Sequence, residues 1–181
     1  MPMIELILKT IWLLLPAYTP NNFAVIFGGG KPIDFGKKFI DKKRIFGDGK
    51  TWRGFFGGVF GGLFVSHIQL LIEKFANLNL YSSLPYKSFL LLIFLLSFGA
   101  MIGDVFGSFI KRRFGIERGR SFPVLDQLMF LIIAYIMASR YHAFYKIFTW
   151  DIIITGILIT PLLHLVVNIL AYKLGLKSVW W

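Results

Sequence analysis

Apolar residues along this chain fall into five runs, each long enough to cross a hydrocarbon core at about 20 helical residues per crossing. They cover roughly residues 3 to 28, 53 to 73, 88 to 110, 123 to 140 and 148 to 172. The connections between them are too short for a soluble domain. The pattern predicts an all-α fold: one domain over residues 1–181, an integral membrane bundle of about five transmembrane helices. Lys and Arg are shared unevenly among the connections, with eight from Lys31 to Arg53 and five from Lys111 to Arg120, but two in each other connection and in the tail. The positive-inside rule then places the two basic loops and the C-terminus in the cytoplasm and the N-terminus outside. The first run has no basic stretch before it and no small-residue cleavage site, so it reads as a retained span rather than a signal peptide. Tyr172, Trp180 and Trp181 suit an interfacial belt.

Composition agrees with a membrane protein: 56% of residues are hydrophobic, 18% are aromatic, and mean hydropathy is +0.69. The net charge of +11 would suggest nucleic acid in a soluble protein. Here the basic residues sit in the connections, which points to anionic lipid or nucleotide as partner and not to nucleic acid. Cysteine is absent, which excludes disulfides, thiolate catalysis and cysteine-ligated metal centres. The oligomeric state is left open.

Polar residues inside apolar runs carry the candidate chemistry. Asp104 lies seven positions before Lys111, roughly 10 Å down a hydrophobic helix, where a carboxylate is costly. Asp104, Ser108 and Lys111 share one helical face, with Arg112 beside it. Pro123 is a good first-turn residue for the next helix, so Asp126 should return to the same side of the membrane as Asp104. Two acids, a hydroxyl and several cations around one pocket suggest Mg²⁺ with phosphate, since Mg²⁺ binds through few carboxylates and takes its other oxygens from water and phosphate. A structural reading competes: basic residues ending a span are topology signals, and Asp126 suits a helix dipole.

Two further stretches belong with this pocket. In PAYTPNN, Pro16 and Pro20 are expected to break the first helix, and Asn21 and Asn22 fall at the depth of Asp104; broken helices at that depth line protein or water-filled cavities. In the first loop, Lys50, Thr51 and Arg53 follow a glycine-rich turn just before the second span, a possible phosphate seat built from helix-start amides and cations. The spacing is not that of a P-loop. Gly54, Gly58 and Gly62, with Gly57 and Gly61, form small-residue rows for helix packing. His67 and His164 stand alone on apolar spans and read as structural; Asn168 is a candidate for the cavity wall.

These residues resemble the CTP-dependent phosphatidate cytidylyltransferase family, and more closely its short archaeal branch, the CDP-archaeol synthases. The late family signature is matched by Gly103, Asp104, Ser108, Lys111, Arg112, Gly115, Ile116, Pro123 and Asp126, and the earlier one by Gly49 through Phe55 with Gly57 and Gly58. Glu117, Arg118 and Gln127 depart from the bacterial and eukaryotic pattern, so the likeness is to the family core. The resemblance implies a transferase: CTP and an isoprenoid ether lipid phosphate, 2,3-bis-geranylgeranyl-glycerol 1-phosphate, give CDP-archaeol and pyrophosphate. Asp104 and Asp126 would hold Mg²⁺. Lys111, Arg112, Lys50 and Arg53 would neutralise phosphate, and Thr51, Ser108, Asn21 and Asn22 would contact substrate.

Three rivals explain part of the pattern. A small transporter or channel for an anionic substrate accounts for polar residues in spans, yet no internal repeat is visible. A CDP-alcohol phosphotransferase resembles a dense cluster of four Asp residues that is missing here. A structural subunit leaves Asp104 unexplained.

Overall fold

The computed structural model describes residues 2–117 and 119–173. The expectations for Arg118, Lys177, Trp180 and Trp181 lie outside the described residues. Six α-helices follow in order: α1 (Met3–Ile26), α2 (Trp52–Phe75), α3 (Tyr86–Arg113), α4 (Leu125–Ala138), α5 (Ala143–Ile147) and α6 (Trp150–Lys173). A single 3₁₀ turn, Tyr81–Ser83, leads into α3. Four of the helices, α1, α2, α3 and α6, are long and apolar enough to cross a membrane, whereas α4 has 14 residues. Pro123, expected in the first turn of α4, precedes it. Val124 turns the chain at a positive φ of 67°, and the helix begins one residue later.

The expected break in α1 is absent: the helix runs 24 residues through both prolines. Pro16 and Pro20 have no N–H, so the carbonyls of Trp12 and Pro16 lose their helical donors. Side chains of other helices replace them. Gln69 Nε2 of α2 donates to Trp12 O at 2.7 Å, and Ser97 Oγ of α3 donates to Pro16 O at 2.9 Å. A sequence that would kink an isolated helix therefore stitches three helices together.

The glycine rows of α2 let its backbone meet α1 and α3 closely. A methyl group at Gly58 would lie 2.5 Å from Met101 Sδ and 2.8 Å from the Pro20 carbonyl oxygen. The outer faces are apolar, as expected for a lipid-facing surface: Phe56, Phe60 and Phe64 form an exposed row on α2, and Leu158 and Leu162 do so on α6. Polar side chains turn inward, with Thr10, Ser66, Gln69, Glu73 and Ser97 buried. Glu73 bridges α1 to the 3₁₀ turn by accepting from Trp12 Nε1 at 2.8 Å and Ser82 N at 2.7 Å.

Close packing is concentrated at one end. Leu13, Leu14, Phe89, Leu92, Leu96, Leu131, Phe144 and Phe148 make a continuous core there. At the other end, where the two basic loops lie, a small cluster of Phe55, Val59 and Met101 is what fills the interior among the described residues. The space left over is the candidate site.

Candidate active site

The α3–α4 hairpin sets the depth of both acids. A methyl at Gly99 would lie 2.7 Å from Ala134 Cα, and one at Gly103 2.5 Å from Phe130 Cα, so the antiparallel helices touch backbone to backbone. Further along, Gly107, one turn of α3 beyond Asp104, faces Met129 of α4, and Asp126 lies one turn before Met129. Asp126 is the second residue of α4, where the helix dipole favours a carboxylate. Its Oδ2 accepts from Phe122 N at 2.8 Å and from Lys111 Nζ at 2.7 Å, while Oδ1 accepts from Lys111 at 3.0 Å. Lys111 Nζ also donates to Arg120 O at 2.7 Å, which ties the second basic loop to α3.

The first loop brings the partner for Asp104. Short antiparallel pairing joins its two ends: Ile33 N donates to Lys50 O at 2.8 Å and Trp52 N to Lys31 O at 3.2 Å. Thr51 Oγ1 then caps α2 by accepting from Gly54 N at 3.1 Å. Lys50, held between these contacts, reaches Asp104 with Nζ 2.5 Å from Oδ2. The interior of the loop is organised by Asp34, 4% exposed. It receives Arg44 through two contacts, at 2.7 and 3.2 Å, and the amides of Gly36, Phe46 and Gly47 at 2.9–3.0 Å. Burial alone would raise the Asp34 pKa, but the guanidinium and the three amides overcome it and hold the carboxyl well below the usual carboxylate range. The same carboxylate, with Asp48, raises the Arg44 pKa. Arg113 fastens this loop to α3: its Nε lies 3.1 Å from Asp41 Oδ2, and it donates to Arg44 O at 2.5 Å.

A cavity of about 1220 Å³ opens between these parts. Of the residues expected at the site, Asn21, Asn22, Lys50, Thr51, Asp104, Ser108, Lys111 and Asp126 line it. Arg112 lines a smaller adjoining cavity of about 160 Å³ with Gly47, Gly49, Lys50, Ser108 and Lys111. The buried Arg112 Nε has no hydrogen-bond partner, nor does Asn21 Oδ1. Arg53 does not line either cavity: it is exposed on α2, with its aliphatic stem beside Gly30. Thr51 borders the cavity, but its hydroxyl is taken by the cap.

Other residues reach the site without having been expected there. Asp48 lines the cavity and pairs with Arg44 at 2.7 Å. His164, read as structural, lies on the cavity wall with its Nδ1 3.1 Å from Asn168 Nδ2, and Asn168 lines the wall as anticipated. His67 is structural, bonded to Leu63 O and Tyr86 OH. The buried Asp34 gives a local hint only in its setting, an acid ten positions before Arg44 in a loop rich in turn glycines.

The donor set suits Mg²⁺. No group of three or more His, Cys, Asp or Glu able to hold a metal occurs among the described residues. Two carboxylates facing one polar cavity are nonetheless the protein share that Mg²⁺ uses when phosphates and waters complete its shell. Each carboxylate is matched by a lysine, so release of the lysines to phosphate would leave both free for a cation.

Comparison with known proteins gives a consistent result. The CarS-like CDP-archaeol synthase family model matches residues 3–181. A CDP-archaeol synthase of Archaeoglobus fulgidus is 62% identical over 179 residues, which covers 99% of this chain and 100% of that protein. Another, from Methanocaldococcus jannaschii, is 45% identical, with 98% of each chain covered. A solved structure of an intramembrane enzyme for archaeal membrane lipid biosynthesis superposes with a TM-score of 0.74 at 34% identity, covering 90% of this chain and 94% of that one. With nearly its whole length matched, both in sequence and in the course of its helices, the chain belongs to the CDP-archaeol synthase family.

Proposed function

We propose that the chain is a CTP-dependent cytidylyltransferase that converts an isoprenoid ether lipid phosphate, the bis-geranylgeranyl glycerol phosphate, to CDP-archaeol. A lipid phosphate oxygen bonds to the α-phosphorus of CTP, the bond from that phosphorus to the bridging oxygen breaks, and pyrophosphate leaves. The lipid phosphate is ionised at neutral pH, so no protein base is required.

The supporting observation is a cavity with two kinds of wall. Lys50, Asp104, Ser108, Lys111 and Asp126 make one side ionic, while the exposed apolar residues Val25, Leu165 and Val167 border the other. Its volume of about 1220 Å³ exceeds that of a pocket for one drug-sized ligand, so a nucleotide and a lipid headgroup fit together. Lipid tails leave along the apolar border of the cavity at Val25, Leu165 and Val167 into the bilayer. Lys50 and Lys111 turn from their carboxylates to phosphate oxygens, and Arg112, with a buried unpaired Nε, receives the departing pyrophosphate in the adjoining cavity. Asp104 and Asp126 would hold Mg²⁺, which supplies charge neutralisation on the CTP phosphates. Positioning and electrostatics of this kind suffice for transfer without a protein nucleophile. The site end of the bundle faces the cytoplasm, where CTP is.

The test is incubation of the purified chain with CTP, Mg²⁺ and the lipid phosphate, with pyrophosphate and the CDP-lipid both measured. Production of the two in equal amounts, only when all three components are present, is expected. CTP hydrolysis independent of lipid, or no turnover with any ether or ester lipid phosphate, overturns the proposal.

A further inference from the structure

The first loop carries a hairpin that takes no part in the cavity. Lys38 pairs antiparallel with Arg44, Phe39 N donates to Lys43 O at 2.8 Å, and Lys42 N donates to Phe39 O at 2.9 Å, closing a tight turn through Ile40 and Asp41. Lys42 takes a positive φ of 62°, and Asp41 Oδ1 accepts from Lys43 N at 3.0 Å. The result is a small rigid tip rather than a loose loop.

Its composition is unusual for an aqueous surface. Ile40 at the tip is 91% exposed and Phe35 beside the hairpin is 61% exposed. Lys37, Lys38 and Lys42 are exposed around them and make no ion pair among the described residues. The acid of the tip, Asp41, is neutralised by Arg113.

The position of the tip follows from Phe39. Its ring meets Phe109 of α3 edge-on at 5.3 Å, and the Arg113 guanidinium covers Phe39 at 4.9 Å and Phe109 at 4.7 Å. Phe109 stacks in turn on Phe106, which is 46% exposed on the apolar flank of α3. Just after Phe109 come Lys111, Arg112 and Arg113, the charged residues that end this span. The hairpin is thus continuous with the lipid-facing surface of α3 at the level where apolar gives way to basic.

From this placement we infer that the Lys37–Arg44 hairpin is a membrane-surface anchor: Ile40 enters the boundary of the acyl layer, and Lys37, Lys38 and Lys42 bind phosphates of anionic bilayer lipids. An apolar tip ringed by lysines matches that surface in polarity and charge. The anchor holds the loop that carries Asp34 and Lys50 against the bilayer, and the inference rests on the membrane location alone, independent of the reaction proposed above.

The absence of cysteine makes the test direct. Ile40→Cys in the full chain, labelled with a polarity-sensitive fluorophore, is placed in nanodiscs of phosphatidylcholine alone or mixed with phosphatidylglycerol, with Glu117→Cys as the water-facing reference. Expected at Ile40 are a blue-shifted emission, quenching by a spin label carried on the lipid headgroup region, and loss of most iodide quenching relative to Glu117, all stronger in the anionic discs. Adding Lys37→Gln, Lys38→Gln and Lys42→Gln should reduce the anionic discs to the level of the neutral ones. Emission and iodide quenching equal to those at Glu117 overturn the anchor. Protection that depends on protein concentration without lipid-borne quenching assigns the tip to a second copy instead and also overturns it. Protection identical in both discs and insensitive to the lysines overturns phosphate binding.

Discussion

Lys50 and Asp104, separated by 54 positions, meet with Nζ 2.5 Å from Oδ2 where the first loop crosses α3. Lys111 and Asp126 repeat the arrangement at 2.7 Å. Two lysines thus occupy the carboxylates that the proposed chemistry needs for a cation, in a space also sized for phosphates. On the proposed function, each lysine turns to phosphate when substrate arrives. Lys50→Met and Lys111→Met should therefore leave the fold intact, raise KM for CTP and lower kcat, with kcat/KM falling about 10²-fold for each. Steady-state kinetics at varied CTP and fixed lipid phosphate check this; a change confined to the lipid KM would contradict it.

Removing the carboxylate charge addresses the same pocket from the other side. Asp104→Asn and Asp126→Asn should each insert and fold normally yet lose about 10²–10³-fold in transfer. The double variant should be little worse than the weaker single one, since either change dismantles the same constellation. Arg53→Ala and Glu117→Gln, both outside the cavity, should remain within a few-fold of the parent. Pyrophosphate release at saturating Mg²⁺ measures all five variants.

Asp34 offers a prediction with a pH sign. Its folded pKa lies below the unfolded value of about 3.9, so its stabilisation is complete above that pH and declines as the pH falls further toward the folded pKa. Asp34→Ala leaves Arg44 without its buried partner and should cost on the order of 3–5 kcal/mol, felt first by the loop. Limited proteolysis should cut the variant between Lys31 and Lys50 at neutral pH, where the parent resists. Acidification below about pH 4 should loosen the parent loop and change the variant little.

Close approach of α2 to its neighbours gives a stability prediction free of chemistry. Gly58→Ala forces a methyl against Met101 and the Pro20 carbonyl and should destabilise by about 1–3 kcal/mol, seen as a lower thermal midpoint in detergent. Met101→Ala in the same chain should restore part of the loss, because the sulfur is one of the two obstructing atoms.

Much of this architecture was legible from residue order, and the exceptions have physical causes. Spans can be read because lipid demands apolar length, and the positions of Asp104 and Asp126 on adjoining helices follow from helical rise. Pro16 and Pro20 misled because their effect depends on Gln69 and Ser97, donors 57 and 81 positions from the carbonyls of Trp12 and Pro16 that they serve. Arg53 does not line the cavity but has its stem beside Gly30, a placement that its position after Thr51 does not reveal. Asp34 was missed because three of its partners are loop amides, which carry no residue identity, and the fourth, Arg44, is one of many basic residues in the loop. His164 was read as isolated because no second imidazole or carboxylate stands near it in sequence, while the cavity it borders is built from residues far away in the chain.

The shortness of α4 has a further consequence. Fourteen residues give about 21 Å of helix, against a hydrocarbon thickness of about 30 Å. The irregular chain before it, Gly119–Val124, can make up the missing length, since a polar backbone is tolerable at membrane depth where it lines a cavity, as Gly119–Pro123 do. On the proposed function, this geometry lets a hydrophilic nucleotide reach the level of the lipid phosphate, so that the isoprenoid chains need not rise out of the oil; two reactants that share no solvent would meet where the floor of the aqueous phase is lowered.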